Sequence, residues 1–248
     1  GIRDHCVTGV QTCALPISAT LARGVIVLGN DGFGGFGPCL TMSDPQMLPE
    51  TLVRIPAAKG QIEAMAYLDA LGQVGIWRPD AGLPSPQTPT WRIAGDLRQL
   101  SSDPRLQTAA VDPSSVLRTA DVDGDGQLDL VVLLRLQVPS PRTEGDALLI
   151  VLRGAATAAA GSAPFLPAVV ATPVHGNATS VALGNFVLES LSSPRTLLEL
   201  ALAVPNGTQP ASPDGDHVRF YHLDPTAAAG GMQWLRSYAP QGLQALVA

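Results

Sequence analysis

Short apolar runs separated by clusters of Gly, Pro, Asn, Asp and Ser recur along the chain, the pattern of buried β-strands joined by tight turns. The first is Gly24 to Gly29, followed by the turn signal Asn30-Asp31-Gly32. Ile62 to Trp77 reads as a hairpin and Thr90 to Ile93 as a short strand. Leu130 to Leu134 is continuously apolar, as a strand covered on both faces must be. Ala147 to Gly154 repeats the spacing of the first run, and Phe165 to Ala171, Val181 to Phe186 and Leu197 to Val204 follow it. His217 to Leu223 alternates in period two, which predicts one wetter face, and Leu243 to Ala248 reads as a last strand. Pro79 to Pro89, Gly95 to Ser115, Val138 to Gly145 and the Ala-rich Ala155 to Pro164 are connections, with one helical turn near Leu97 to Leu100.

Gly1 to Ile17 stands outside this pattern. Val7 to Ile17 resembles a translated short-read sequencing adapter, and Gly1 to Asp4 continues it upstream. The segment is therefore expected to be an artefact of sequence assembly, with the folded unit over 19–248. A signal-peptide remnant would need a strong apolar stretch, which is missing. Without the segment Cys39 is the lone cysteine, so no internal disulfide can form. Arg3 and Asp4 cancel, and the net charge stays at -6. With one lysine, Lys59, and scattered arginines, the chain has no basic stripe and no case for nucleic acid. The Ala-rich stretch 154–174 is broken by Gly161, Pro164, Pro167 and Pro173, so no membrane span is expected.

The candidate chemistry is concentrated in Asp121-Val122-Asp123-Gly124-Asp125-Gly126-Gln127-Leu128-Asp129. Carboxylates at loop positions 1, 3, 5 and 9, with the Gln127 carbonyl at position 7, make an oxygen set suited to Ca²⁺. Gly126 falls at position 6, where the chain turns sharply. Without a cation such carboxylates would repel by roughly 4 kcal/mol per pair at 4 Å and an effective dielectric near 20. A solvated acidic turn is the plainer alternative. An EF-hand would need a bidentate acid at position 12, where Val132 stands. Gly32-x-Gly34-x-x-Gly37 formally matches a dinucleotide fingerprint, but Pro38, Ser43, Asp44 and Pro45 would break the helix it requires. His217 and His222 fall on opposite faces of one strand, and His175 stands in a turn, so the histidines form no cluster. Asn177-Ala178-Thr179 and Asn206-Gly207-Thr208 are formal glycosylation sequons.

Asp121 to Asp129 running into Leu130 to Leu134 resembles the FG-GAP/VCBS repeat, the blade unit of integrin-alpha-like β-propellers, and Val25 to Gly37 is similar to another strand of that repeat. The resemblance implies an all-β fold: an incomplete β-propeller of about three and a half four-stranded blades, recurring at about sixty residues. Two further loops then read as degenerate. Asp69 and Gly72 align with Asp123 and Gly126, with Tyr67, Leu71 and Gly75 in other ligand positions; Asn185 and Glu199 align with Asp121 and Asp129. A β-sandwich of short strands is the competing architecture. The resemblance implies a noncatalytic Ca²⁺-binding module, extracellular, at the cell surface or periplasmic, with a protein or glycan ligand. The alternative is the propeller of a secreted enzyme, similar to polysaccharide lyases or phospholipases, whose active site lies elsewhere. No nucleophile with its base appears in this chain.

Overall fold

The structure, a computed structural model, describes residues 24–30, 36–43, 46–55, 64–77, 91–93, 96–122, 124–139, 142–154, 165–184, 199–204, 217–223 and 232–238. Residues 1–17 and the expected strand over 243–248 lie outside them. The described chain is mostly β, as its pattern of short apolar runs predicts. Strands β1 (Gly24–Asn30) and β2 (Phe36–Ser43) form an antiparallel pair. A strand begins at Phe36, where a dinucleotide fingerprint needs a helix, so that reading has no support in the fold.

Three four-stranded sheets come next, each antiparallel, with the strands of each lying side by side in chain order. The first holds β3 (Val53–Ile55), β4 (Ala64–Leu68), β5 (Val74–Trp77) and β6 (Trp91–Ile93). The second holds β7 (Val116–Ala120), β8 (Asp129–Arg135), β9 (Glu144–Gly154) and β10 (Phe165–His175). The third holds β11 (Ser180–Gly184), β12 (Glu199–Val204), β13 (His217–Leu223) and β14 (Met232–Tyr238). Between the first two sheets lie a 3-10 turn, Leu97–Leu100, and a short helix α1, Pro104–Thr108, each capped by an aspartate side chain, Asp96 and Asp103.

The apolar run in β8 explains the stacking. Successive side chains of a strand point to opposite faces. Leu130, Val132 and Leu134 pack into one core with Ala64, Ala66, Leu68 and Ile76 of the first sheet. Val131 and Leu133 pack into another with Val181, Leu200, Leu202 and Tyr221 of the third. The middle sheet is thus covered on both faces, and β8 has no face left for polar residues. The leading strands of successive sheets also meet: β3 lies against β7, and β7 against β11. Thr119 Oγ1 donates to the Arg54 carbonyl, 3.4 Å away, across the first of these contacts.

The chain approaches the first two sheets through the same bonds. Isolated bridges join Met47 to Asp69 and Val111 to Leu136. The Leu48 amide donates to the Leu68 carbonyl and the Asp112 amide to the Arg135 carbonyl, both at 2.9 Å. A buried hydroxyl comes next in each: Thr51 Oγ1 donates to Leu48 O and accepts from Leu68 N, and Ser115 Oγ donates to Asp112 O and accepts from Arg135 N. These matches align β3 with β7 and β4 with β8.

That alignment corrects the expected second loop. Asp69 lies between β4 and β5, the second and third strands of its sheet, whereas Asp121 to Leu128 joins β7 to β8, the first and second. The equivalent connection in the first sheet is 56–63, outside the described residues. Asp69 is instead a buried turn residue whose Oδ1 accepts from the amides of Leu71 and Gln73. Tyr67 and Gly75 face each other across β4 and β5. A Cβ on Gly75 would lie 2.4 Å from the Tyr67 ring, which is fully buried. Gly75→Ala is therefore expected to lower stability by about 1–3 kcal/mol through overpacking. Urea unfolding checks this: the midpoint should fall with the slope unchanged.

Candidate metal centre

The loop is built on an apolar base. Ala120, the end of β7, pairs with Asp129, the start of β8, and the intervening residues close the hairpin. Val122 is fully buried in the core shared with the third sheet, which pins the start of the loop. Asp121 is half-buried, while Gly124, Asp125 and Gly126 are exposed. Gly124 and Gly126 have φ of 76° and 84°, left-handed conformations that L side chains rarely adopt. The structure therefore bears out the turn expected at Gly126 and adds a second at Gly124.

The described carboxylates are engaged by backbone amides. Asp121 Oδ1 accepts from Gly124 N at 2.8 Å and Oδ2 from Gly126 N at 2.9 Å. Asp125 Oδ1 accepts from Gln127 N at 2.7 Å. Asp129 is fully buried, with Oδ2 accepting from Val122 N and Oδ1 from Gly154 N, both at 2.8 Å. Asp123 lies outside the described residues. Among the described residues no three His, Cys, Asp or Glu side chains form a group that could hold a metal.

The donor types are nevertheless those a hard cation takes. A carboxylate offers about four lone-pair sites, so oxygens that each accept one amide bond keep capacity for an ion. The amide bonds turn the backbone back onto Asp121 and Asp125, and Gly124, Asp125 and Gly126 face solvent. Asp121, Asp123, Asp125 and Asp129, with the Gln127 carbonyl, are the residues that would hold Ca²⁺, which would supply charge neutralisation and a cross-link between loop positions.

Two supports of the loop lie outside the spacing of acids. One is Val122, legible as the apolar residue between two acids. The other is Gly154, the glycine that ends the apolar run of β9: a Cβ there would lie 2.6 Å from the Leu128 carbonyl oxygen and 2.8 Å from Gln127 Cβ. The loop backbone rests directly on it.

The other expected positions are dispersed. Glu199 begins β12 and pairs with Gly184, the register place that Asp129 holds opposite Ala120. Asn185 and the rest of that connection lie outside the described residues, as does Asn206. His175 ends β10, and its Nδ1 accepts from the Asn177 amide at 3.1 Å. At the far end of β8, about 20 Å from Asp129 at 3.4 Å per residue, Arg142 donates to Asp112 and to the Gly176 carbonyl, and Arg135 donates to Ser114. Burial pushes the Asp112 carboxyl up, but bonds from Ser114 and Arg142 and the charge of Arg135 outweigh it and hold it below the usual range. This group braces the turn between β8 and β9 against the approach to β7. No family model matches the chain, and no curated protein is significantly similar to it.

Proposed function

We propose that this chain is a noncatalytic β-propeller module of FG-GAP type, in which one Ca²⁺ ties together the hairpin between the first and second strands of a blade. The observation that carries the reading is the seat of the acidic loop: it joins β7 to β8 in a sheet buried on both faces by its neighbours. The approach of β3, β7 and β11, the leading strands of successive sheets, supports a radial arrangement of blades. Each blade buries its apolar faces against its neighbours, so an ion that fixes a connecting loop stiffens the stack at its rim. Sites of this kind bind with Kd of about 10⁻⁴–10⁻³ M in extracellular modules, where the ion is abundant. The reading therefore sets the protein outside the cytosol or in the cell envelope, with a protein or glycan ligand. No helix among the described residues is long and apolar enough to cross a membrane.

Calorimetric titration of the full chain with CaCl₂ tests the ion. One site with a Kd in the range above is expected, and Asp123→Ala with Asp125→Ala should abolish its heat. Unchanged binding by the double variant would sink the assignment.

A further inference from the structure

We infer that Asp129 is a latch that fastens the loop to strand β9 before any ion arrives, so that the site is organised by the sheet rather than by the cation. The inference rests on reading the loop as a Ca²⁺ site. The β8–β9 ladder ends at the pair Leu130 and Leu152, so the Gly154 amide lies beyond its last rung. Asp129 Oδ1 accepts from that amide, in place of a strand carbonyl. Its Oδ2 accepts from Val122 N, at the other side of the loop. One fully buried carboxylate thus joins the start of the loop, the start of β8 and the end of β9. Burying a charge is tolerated where hydrogen bonds compensate it, and removing it strands the amides it served.

Asp125 has the contrasting position: it is exposed, and the bond its Oδ1 accepts from Gln127 N stays within the loop. The third sheet keeps an acid, Glu199, at the register place of Asp129, although the residues leading to it lack the acidic spacing. In the first sheet that place lies within 56–63, outside the described residues. An acid at this point is therefore compatible with loops that lack the full ligand set, as a latch to the sheet would be.

The test is thermal unfolding of the full chain in EDTA and in saturating CaCl₂, for the wild type, Asp129→Asn, Asp129→Ala and Asp125→Ala, with hydrogen exchange followed at the Val122 and Gly154 amides. Both Asp129 variants should lose about 4–10 °C of Tm in EDTA. Exchange at those two amides should rise roughly tenfold or more. Asp125→Ala should leave the EDTA Tm within about 1 °C and those amides protected, while losing the Ca²⁺ increment. Should Asp129→Ala fail to fold, Asp129→Asn keeps the shape and one acceptor oxygen and carries the test. Unaltered EDTA stability and amide protection in Asp129→Asn would overturn the latch, whatever Ca²⁺ does. Loss of stability in EDTA with no Ca²⁺ increment in any protein would leave the latch standing and end the ion reading.

Discussion

Truncating Leu130 to alanine is expected to lower the folding stability by about 2–5 kcal/mol, and truncating Leu133 by a similar amount. Both are fully buried on the same strand, but Leu130 lies in the core shared with β3, β4 and β5 and Leu133 in the core shared with β11, β12 and β13. Each deletion removes apolar contact and leaves a cavity that the two sheets can only partly close. Because the residues face opposite ways and belong to different cores, the double variant should lose nearly the sum. That sum is comparable with a whole domain's stability of about 5–15 kcal/mol, so the double variant should be largely unfolded. Urea unfolding of the three variants checks the stacking. If Leu133→Ala were silent while Leu130→Ala was costly, the third sheet would not be packed on the second.

Gly154→Val should be a comparably damaging change, acting on the loop from the end of β9. The new side chain would meet the Leu128 carbonyl oxygen and Gln127 Cβ at less than van der Waals distance, and the Leu128 obstacle is backbone, not the far end of a flexible side chain. Relief requires the end of β9 to move away from the loop, which breaks the bond from the Gly154 amide to the buried Asp129. Overpacking and the loss of a charge-assisted hydrogen bond together are expected to cost about 2–4 kcal/mol. Chemical unfolding measures the loss, and Gly154→Ala should show a smaller one in the same direction.

The strands that sequence makes legible are those whose pattern has one physical meaning. Leu130 to Leu134 has no polar residue and must be covered twice; His217 to Leu223 alternates and matches β13 at both ends. β9 begins earlier than its apolar run because Glu144-Gly145-Asp146 looks like turn chemistry, and Gly145, with φ of 89°, lies next to an irregularity in the β9–β10 pairing. The helix α1 is too short for periodicity, although Asp103 before Pro104 is a helix-start signal that can be read. β14, over Met232–Tyr238, mixes polar and apolar residues and has no bounding apolar run. Of the acidic loop, the hairpin turn at Gly126 is legible, because a glycine among closely spaced aspartates is turn chemistry. Its apparent relative at Asp69 misleads because an aspartate followed by a left-handed glycine, here Gly72 with φ of 73°, also makes an ordinary hairpin turn. Which connection of a sheet such a turn occupies depends on strand pairing, which residue types alone do not carry.

The most direct measurement of the central claim is the anomalous difference density of crystals of the full chain grown in millimolar CaCl₂. A calcium peak is expected at the hairpin between β7 and β8, about 2.3–2.6 Å from carboxylate oxygens of Asp121, Asp123, Asp125 and Asp129 and from the Gln127 carbonyl. A loop without a peak at saturating Ca²⁺, with Asp121 still accepting from the amides of Gly124 and Gly126, would contradict the account.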